Sequence, residues 1–296
     1  MRQSVQVRIS SAVGAVLFLA AAIPVWAISK VNAESAPLTV PLAIGPFLFY
    51  SFGKPWRLRT HAKPIPASIV LLASVGFLFG LTIESVLLAT IAWILIFHSW
   101  LDSQFVDSCS VPRLRLETLL LFSFPWIVHD GQWISELFQY SGAVVAELWA
   151  QGLGFDVVRV GQNLLIGETQ LSIGPACSGI QTLQITMLCG SALAVIFLGR
   201  LKIFWCSIPV LITLAWIINS LRIIGLVCLA HFGSSPELVT ELHDTTGYLA
   251  ILLEVPLILL AFKLLERLSS RGDAQSGARH SNQATVLDSS CDRAPA

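Results

Sequence analysis

The chain has 296 residues, 55% of them hydrophobic and 12% charged, with a mean hydropathy of +0.75. A soluble domain is about a quarter charged, so this balance excludes an ordinary water-soluble enzyme and places most of the chain in lipid. Lys+Arg and Asp+Glu are equal at 18 each, so no net basic charge marks a nucleic-acid partner.

Apolar runs of roughly 17–20 residues, long enough to cross a bilayer, lie near 10–29, 37–53, 65–81, 82–101, 116–131, 180–199, 203–221 and 245–264. They predict an all-α polytopic membrane protein of about eight transmembrane helices. The first run is longer than a signal-peptide core of about 7–15 residues, so it reads as a span. With Arg2 and Arg8 in the cytoplasm and the spans alternating, the loop "GKPWRLRTHAKP" (Lys54, Arg57, Arg59, Lys63) also falls inside. So do Arg113, Arg115, Arg200, Lys202 and the tail. Only Lys30, Arg159 and Arg222 lie outside, which leaves 15 of 18 basic residues on the cytoplasmic side of a cell (inner or plasma) membrane, with both termini. The membrane domain covers 1–268, and the Ser-, Arg- and Asp-rich stretch 269–296 reads as a disordered cytoplasmic tail.

Residues 1–131 read as a scaffold of five spans. Glu84 is expected at the interface and His98 hydrogen-bonded within the bundle, with tryptophans 56, 93, 100, 126 and 133 near span ends. Residues 132–179 form the one sizeable extracytoplasmic segment. "QWISELFQYSGAVVAELWAQGLG" predicts an amphipathic helix ending at Gly152/Gly154. "FDVVRVGQNLLIGETQLSIG" then alternates, with turns at Gly161-Gln-Asn163 and Gly167-Glu-Thr169, and predicts a small two- or three-stranded β element just before the Cys-bearing helix. Two spans follow. The stretch 223–242 breaks at Gly233-Ser-Ser-Pro236 and reads as re-entrant or interface-lying, ahead of the last span.

The six cysteines show no CxxC spacing, so neither a zinc site nor a disulfide framework is indicated, and no cofactor is implied. Cys177 alone falls at the outer end of a span. Gly174-Pro175 precedes it, which predicts Cys177 in the first helical turn, where free N–H groups and the helix dipole favour a thiolate. Gly179 leaves room for a substrate backbone, and Gln181 and Gln184 continue a polar stripe toward it. The bland alternative is a small inert cysteine. Arg222, in "IINSLRIIGL", is costly inside an apolar run and marks either a functional site or a snorkelling anchor. Asn219 lies one turn earlier on the same face. His243, followed by the helix-capping types Asp244, Thr245 and Thr246, can titrate near neutrality and take a thiol proton; otherwise it is an exposed loop histidine. His231 is a rival imidazole, and Glu254 reads as a packed, protonated acid about three turns deeper than His243.

The box "ACSGIQTL" (176–183), then "NSLRI" (219–223), then His243 at the head of the final helix resemble, in that order, the exosortase/archaeosortase transpeptidases. The motif match covers 176–247. It departs from the family pattern at Gly174-Pro175, where many members have an acidic residue, and at Gln181. The resemblance implies cleavage of a C-terminal sorting signal of secreted proteins: a short motif such as Pro-Glu-Pro, a hydrophobic helix and a basic cluster. Cys177 would form a thioester, His243 would serve as base and acid, and Arg222 would stabilise the oxyanion or hold the signal's carboxylate, before transfer to an acceptor. Gly179, Gln181, Gln184, Asn219 and Asp244 would bind substrate or support the site. Two other classes fit the composition: a transporter or channel with Arg222, His243 and Glu254 along its path, and a scaffold without chemistry.

Overall fold

Proline and glycine divide the backbone of the computed structural model much as they divide the hydropathy profile. The structure describes residues 6–7, 20–25, 27, 39–106, 111–167, 169–174, 179–232, 246–247, 249–250 and 252–270. Helices α1 (Thr39–Phe52) and α2 (Ala67–Thr82) flank the basic loop. Within it, β2 (Arg57–Leu58) pairs antiparallel with β4 (Phe105–Val106), and β3 (Ile65–Pro66) with β1 (Gln6–Val7). Of α2 only Ala73 and Gly80 are buried. A Cβ added at Gly80 would lie 2.7 Å from Ala89 N, so this glycine lets α2 close onto α3 (Val86–Gln104). Leu71, Leu72, Val75 and Leu78 face outward, as a lipid-facing helix packed through small residues requires.

The start of α3 is capped twice. Ser85 Oγ accepts from Leu88 N (3.2 Å), and the Asp130 carboxylate accepts from Val86 N (3.2 Å), Leu87 N (2.6 Å) and Ser85 Oγ (3.0 Å). A carboxylate there satisfies otherwise orphaned donors and complements the helix dipole. His98 meets Glu117 at 2.6 Å and ties α3 to α4 (Arg113–Ser123), in keeping with its reading as a hydrogen-bonded bundle residue.

Three described helices have the length and apolarity of a span: Val86–Gln104, Ile180–Leu198 and Lys202–His231. Pro41–Phe52 and Ala67–Thr82 are apolar but shorter. The run 116–131, expected as one span, is broken into α4 and α5 (Trp126–Asp130) at Phe124-Pro125, where proline supplies no N–H. The run 10–29 lies mostly outside the described residues, and 245–264 partly so. Trp93 and Trp100 correct the aromatic-belt expectation. They are 7% and 6% exposed, and Trp93 stacks on Phe97 with centroids 5.2 Å apart. The main core gathers Leu116, Leu119, Met187, Leu198, Phe204 and Phe262.

Beyond the core, α6 (Gln132–Gly152) ends where expected, and β5 (Val157–Val160), β6 (Asn163–Ile166) and β7 (Thr169–Ser172) form an antiparallel meander with turns at the two predicted sites. Gly161 and Gly167 turn the chain with φ of +67° and +58°, values that favour glycine. Arg159 fastens the sheet to α6: its Nε and backbone N each donate to Glu147 at 3.1 Å.

After α7 (Ile180–Leu198) and a 3₁₀ turn comes α8 (Ser207–His231), 25 residues without a break. This corrects the re-entrant reading of its first part: 223–231, including Cys228, continues the helix, while 233–242 lie outside the described residues. The reason is packing. Past Arg222, Ile223, Val227 and Ala230 bury against Ala143, Ala146, Val157, Leu164 and Ile173, a second small core shared by α6, α8 and the sheet. The final helix α9 spans 252–270, and residues from 271 on lie outside the described residues.

The two ends of the bundle differ in charge. At one end Asp102 meets Lys63 (3.3 Å), Arg59 (3.7 Å) and Arg113 (3.8 Å), while Arg115 Nη1 donates to the carbonyls of Gly199 (2.8 Å) and Leu201 (2.7 Å). The opposite end holds Ser85, Asp130 and the small core of α6, α8 and the sheet.

Candidate functional site

The candidate site is built on α8. Asn219 and Arg222 stand three residues apart, hence on one helix face. Asn219 is 4% exposed and Arg222 half-buried, with its Nε atom buried. Asn219 presses on a glycine from another segment, and Arg222 lies beside a second.

Gly179 is the N-cap of α7, with φ +73°. A Cβ added there would lie 2.6 Å from Asn219 Cγ and Oδ1. Only glycine fits, both for its left-handed backbone and for this contact. The space beside Gly179 is taken up by Asn219. The Gly179 carbonyl accepts from Leu183 N at 2.8 Å, closing the first turn of α7. α7 begins at Ile180; Cys177, expected in the first helical turn, lies outside the described residues.

Gly247 is the second glycine. A Cβ added there would lie 3.6 Å from Arg222 Nη2 and 3.7 Å from Cζ, in ordinary contact. Gly247 follows His243 by four residues; His243 and Asp244 lie outside the described residues. One face of α8 thus touches, through adjacent positions, a residue two beyond Cys177 and a residue four beyond His243.

Two expected members of the polar stripe are not part of this arrangement. Gln184 is fully buried and wholly engaged: Nε2 donates to the carbonyls of Phe122 (2.6 Å) and Phe124 (3.0 Å), and Oε1 accepts from Ile127 N (3.2 Å). It repairs the backbone break at Pro125, and so holds α7 to α4 and α5. Gln181 is exposed on the first turn of α7.

His231 is excluded as a partner for Arg222. It lies nine residues further along α8, about 13 Å at 1.5 Å per residue, and stacks on Phe155 with centroids 3.9 Å apart. Glu254, 3% exposed, accepts from Thr186 Oγ1 at 2.8 Å, binding α9 to α7. Sequence spacing placed Glu254 on a plausible depth, but Thr186 as its partner carries no signal beyond being a hydroxyl in an apolar run. Among the described residues no cluster of three or more His, Cys, Asp or Glu forms a candidate metal centre.

A family model described as transmembrane exosortase matches residues 2–261. No curated protein and no solved structure matches the chain.

Proposed function

The chain belongs to the transmembrane exosortase family, and from that premise we propose that it is a cysteine transpeptidase that processes C-terminal sorting signals at the extracytoplasmic face of the cell membrane. The observation that carries this reading is the pair of contacts on α8: Asn219 on Gly179 and Arg222 on Gly247. Covalent geometry keeps the Cα of Cys177 within about 7 Å of that of Gly179, and that of His243 within about 14 Å of Gly247. These limits support a reading in which a thiol, a guanidinium and an imidazole from three segments serve one face of α8.

The charge asymmetry supports the orientation. The end holding Arg59, Lys63, Arg113 and Arg115 is the cytoplasmic one by the positive-inside bias, so the Asn219–Arg222 face belongs to the outer half. A secreted protein's hydrophobic tail helix would lie laterally against the bundle, its basic end cytoplasmic and its short motif presented outside.

The Cys177 thiolate attacks the scissile carbonyl carbon, forming an S–C bond and a tetrahedral oxyanion. Arg222 stabilises that charge, or grips a carboxylate of the signal motif. As the C–N bond breaks, protonated His243 gives its proton to the leaving amine and a thioester remains. An acceptor nucleophile then adds to the thioester, His243 takes its proton, and the thiolate departs. The thioester retains acyl-transfer potential, so an amine acceptor can compete with water.

The test uses a tagged secreted reporter ending in a short motif, an apolar helix and a basic cluster. With Cys177→Ala, the full-length reporter should persist in the membrane, whereas Cys189→Ala, on the exposed side of α7, should process it normally. Wild-type processing by Cys177→Ala overturns the proposal. Selective uptake of an ion or solute by the Cys177→Ala protein, with no reporter cleavage by the wild type, would favour a transporter instead.

A further inference from the structure

The meander has two edge strands, β5 and β7, and the chain treats them differently. On β5 the outward backbone groups are engaged by α6. Arg159 N donates to Glu147 Oε1, and the Val157 carbonyl accepts from Gln151 Nε2, each at 3.1 Å. An edge covered in this way is closed to a further strand.

β7 is left open. Ile173 N donates inward, to the Gln162 carbonyl at 3.2 Å. Backbone direction alternates along an antiparallel strand, so Leu171 also faces β6, while the N–H and C=O groups of Gln170 and Ser172 face outward. Both residues are exposed, and among the described residues nothing bonds to those outward groups. The pairing with β6 runs through all four residues without a bulge, and the strand's Thr-Gln-Leu-Ser contains no charge and no proline. Bulges, charges and prolines are the devices that block natural edges, and β7 has none of them.

This open edge leads to the candidate site. β7 packs against α8, and Ile173 shares the small core with Ile223, the neighbour of Arg222. Cys177 is three residues beyond Gly174, so their Cα atoms lie within about 11 Å. An extended peptide adds to such an edge through its own backbone hydrogen bonds, and its course along β7 carries it toward the segment that bears Cys177.

We propose that β7 is the docking strand for the substrate: the short motif ahead of the substrate's apolar tail helix adds to it as a fourth strand, bonded to the N–H and C=O groups of Gln170 and Ser172. The proposal rests on Cys177 as the nucleophile and adds where the peptide is held before attack. The four-residue edge spans about 13 Å, which accommodates a motif of only a few residues. Because the edge offers backbone groups, it selects an extended chain rather than a particular side chain.

Disulfide trapping in membranes tests this, using the full chain with Cys177→Ala so that the reporter stays uncut. Gln170→Cys and Ser172→Cys should each trap a reporter with one cysteine in its motif, and alternate reporter positions should be favoured, because facing Cβ atoms on paired strands lie about 4.5–5.5 Å apart. Val160→Cys, on the covered β5 strand and itself exposed, should trap none. Ser172→Pro in the chain that retains Cys177 is the second arm. It removes one outward N–H and no bond to β6, so Tm and membrane level should hold while reporter cleavage falls on the order of tenfold. Failure of both cysteines to trap the reporter overturns the proposal, as does equal trapping by Val160→Cys. So does trapping of a second copy of the chain in place of the reporter, or wild-type cleavage by Ser172→Pro. Trapping together with continued cleavage by the Cys177→Ala protein would sink the thiol chemistry and leave the docking strand standing.

Discussion

The Asn219 side chain occupies the place where a Gly179 Cβ would stand, 2.6 Å from its Cγ. The contact joins α8 to the residue at which α7 begins, and the chain immediately before that residue carries Cys177.

Gly179→Ala should therefore impair processing without removing the protein from the membrane. The left-handed backbone costs alanine roughly 1–2 kcal/mol, and the added methyl displaces either Asn219 or the segment before α7. Reporter cleavage should fall at least about tenfold, the equivalent of 1.4 kcal/mol, at an unchanged membrane level by immunoblot. Cleavage at the wild-type rate would show that this contact does not hold the thiol in place.

Arg222→Lys asks what the guanidinium does. A lysine keeps the charge but loses the planar fork that suits an oxyanion or carboxylate. Cleavage should drop about tenfold or more, while alkylation of Cys177 by iodoacetamide continues at the wild-type rate. If lysine supports full cleavage, charge alone suffices and directed hydrogen bonding is not needed.

Gln184→Ala should act on stability rather than chemistry. It strips two buried carbonyls and one buried N–H of their partner, at about 1–3 kcal/mol each. Thermal unfolding in detergent should shift down by at least about 6 °C, which is about 3 kcal/mol at about 2 °C per kcal/mol, the low end of each range. A Tm unchanged by the substitution would mean that water or other groups replace all three bonds.

Gly225→Ala is the opposite case. Gly225 lies within α8 with no atom within 4 Å of an added Cβ and no left-handed φ. Removing a helix-interior glycine in open space should raise stability by up to about 1 kcal/mol, read as a Tm increase of about 2–4 °C, with reporter cleavage intact. A fall in Tm would reveal a neighbour outside the described residues.

Local signals were legible where they were also decisive. The turns at Gly161 and Gly167 and the alternation around them are enough to write a three-stranded meander, because hairpin geometry depends on a few residues. The α6 helix and the pairing of His98 could be read for similar reasons. The course of α8 could not. Arg222 and Gly225 interrupt the hydropathy as a span end would, and what carries the helix on to His231 is burial of Ile223, Val227 and Ala230 against residues about 50–90 positions earlier. Gln184 misled in the other direction. Its spacing from Cys177 suggested a stripe, while its purpose is set by a proline nearly 60 residues upstream. Likewise, Gly179 announced a bare backbone, but not which side chain would come to lie against it.

The continuity of α8 has a mechanical corollary. Its 25 residues form a single rod about 37 Å long, and its one proline, Pro209, is near the start. No proline separates the half packed into the main core through Leu211 and Ala215 from the half that carries the β meander. The meander and its helical support consequently cannot swing open like a hatch: any tilt they undergo is shared, through one stiff backbone, with Asn219 and Arg222.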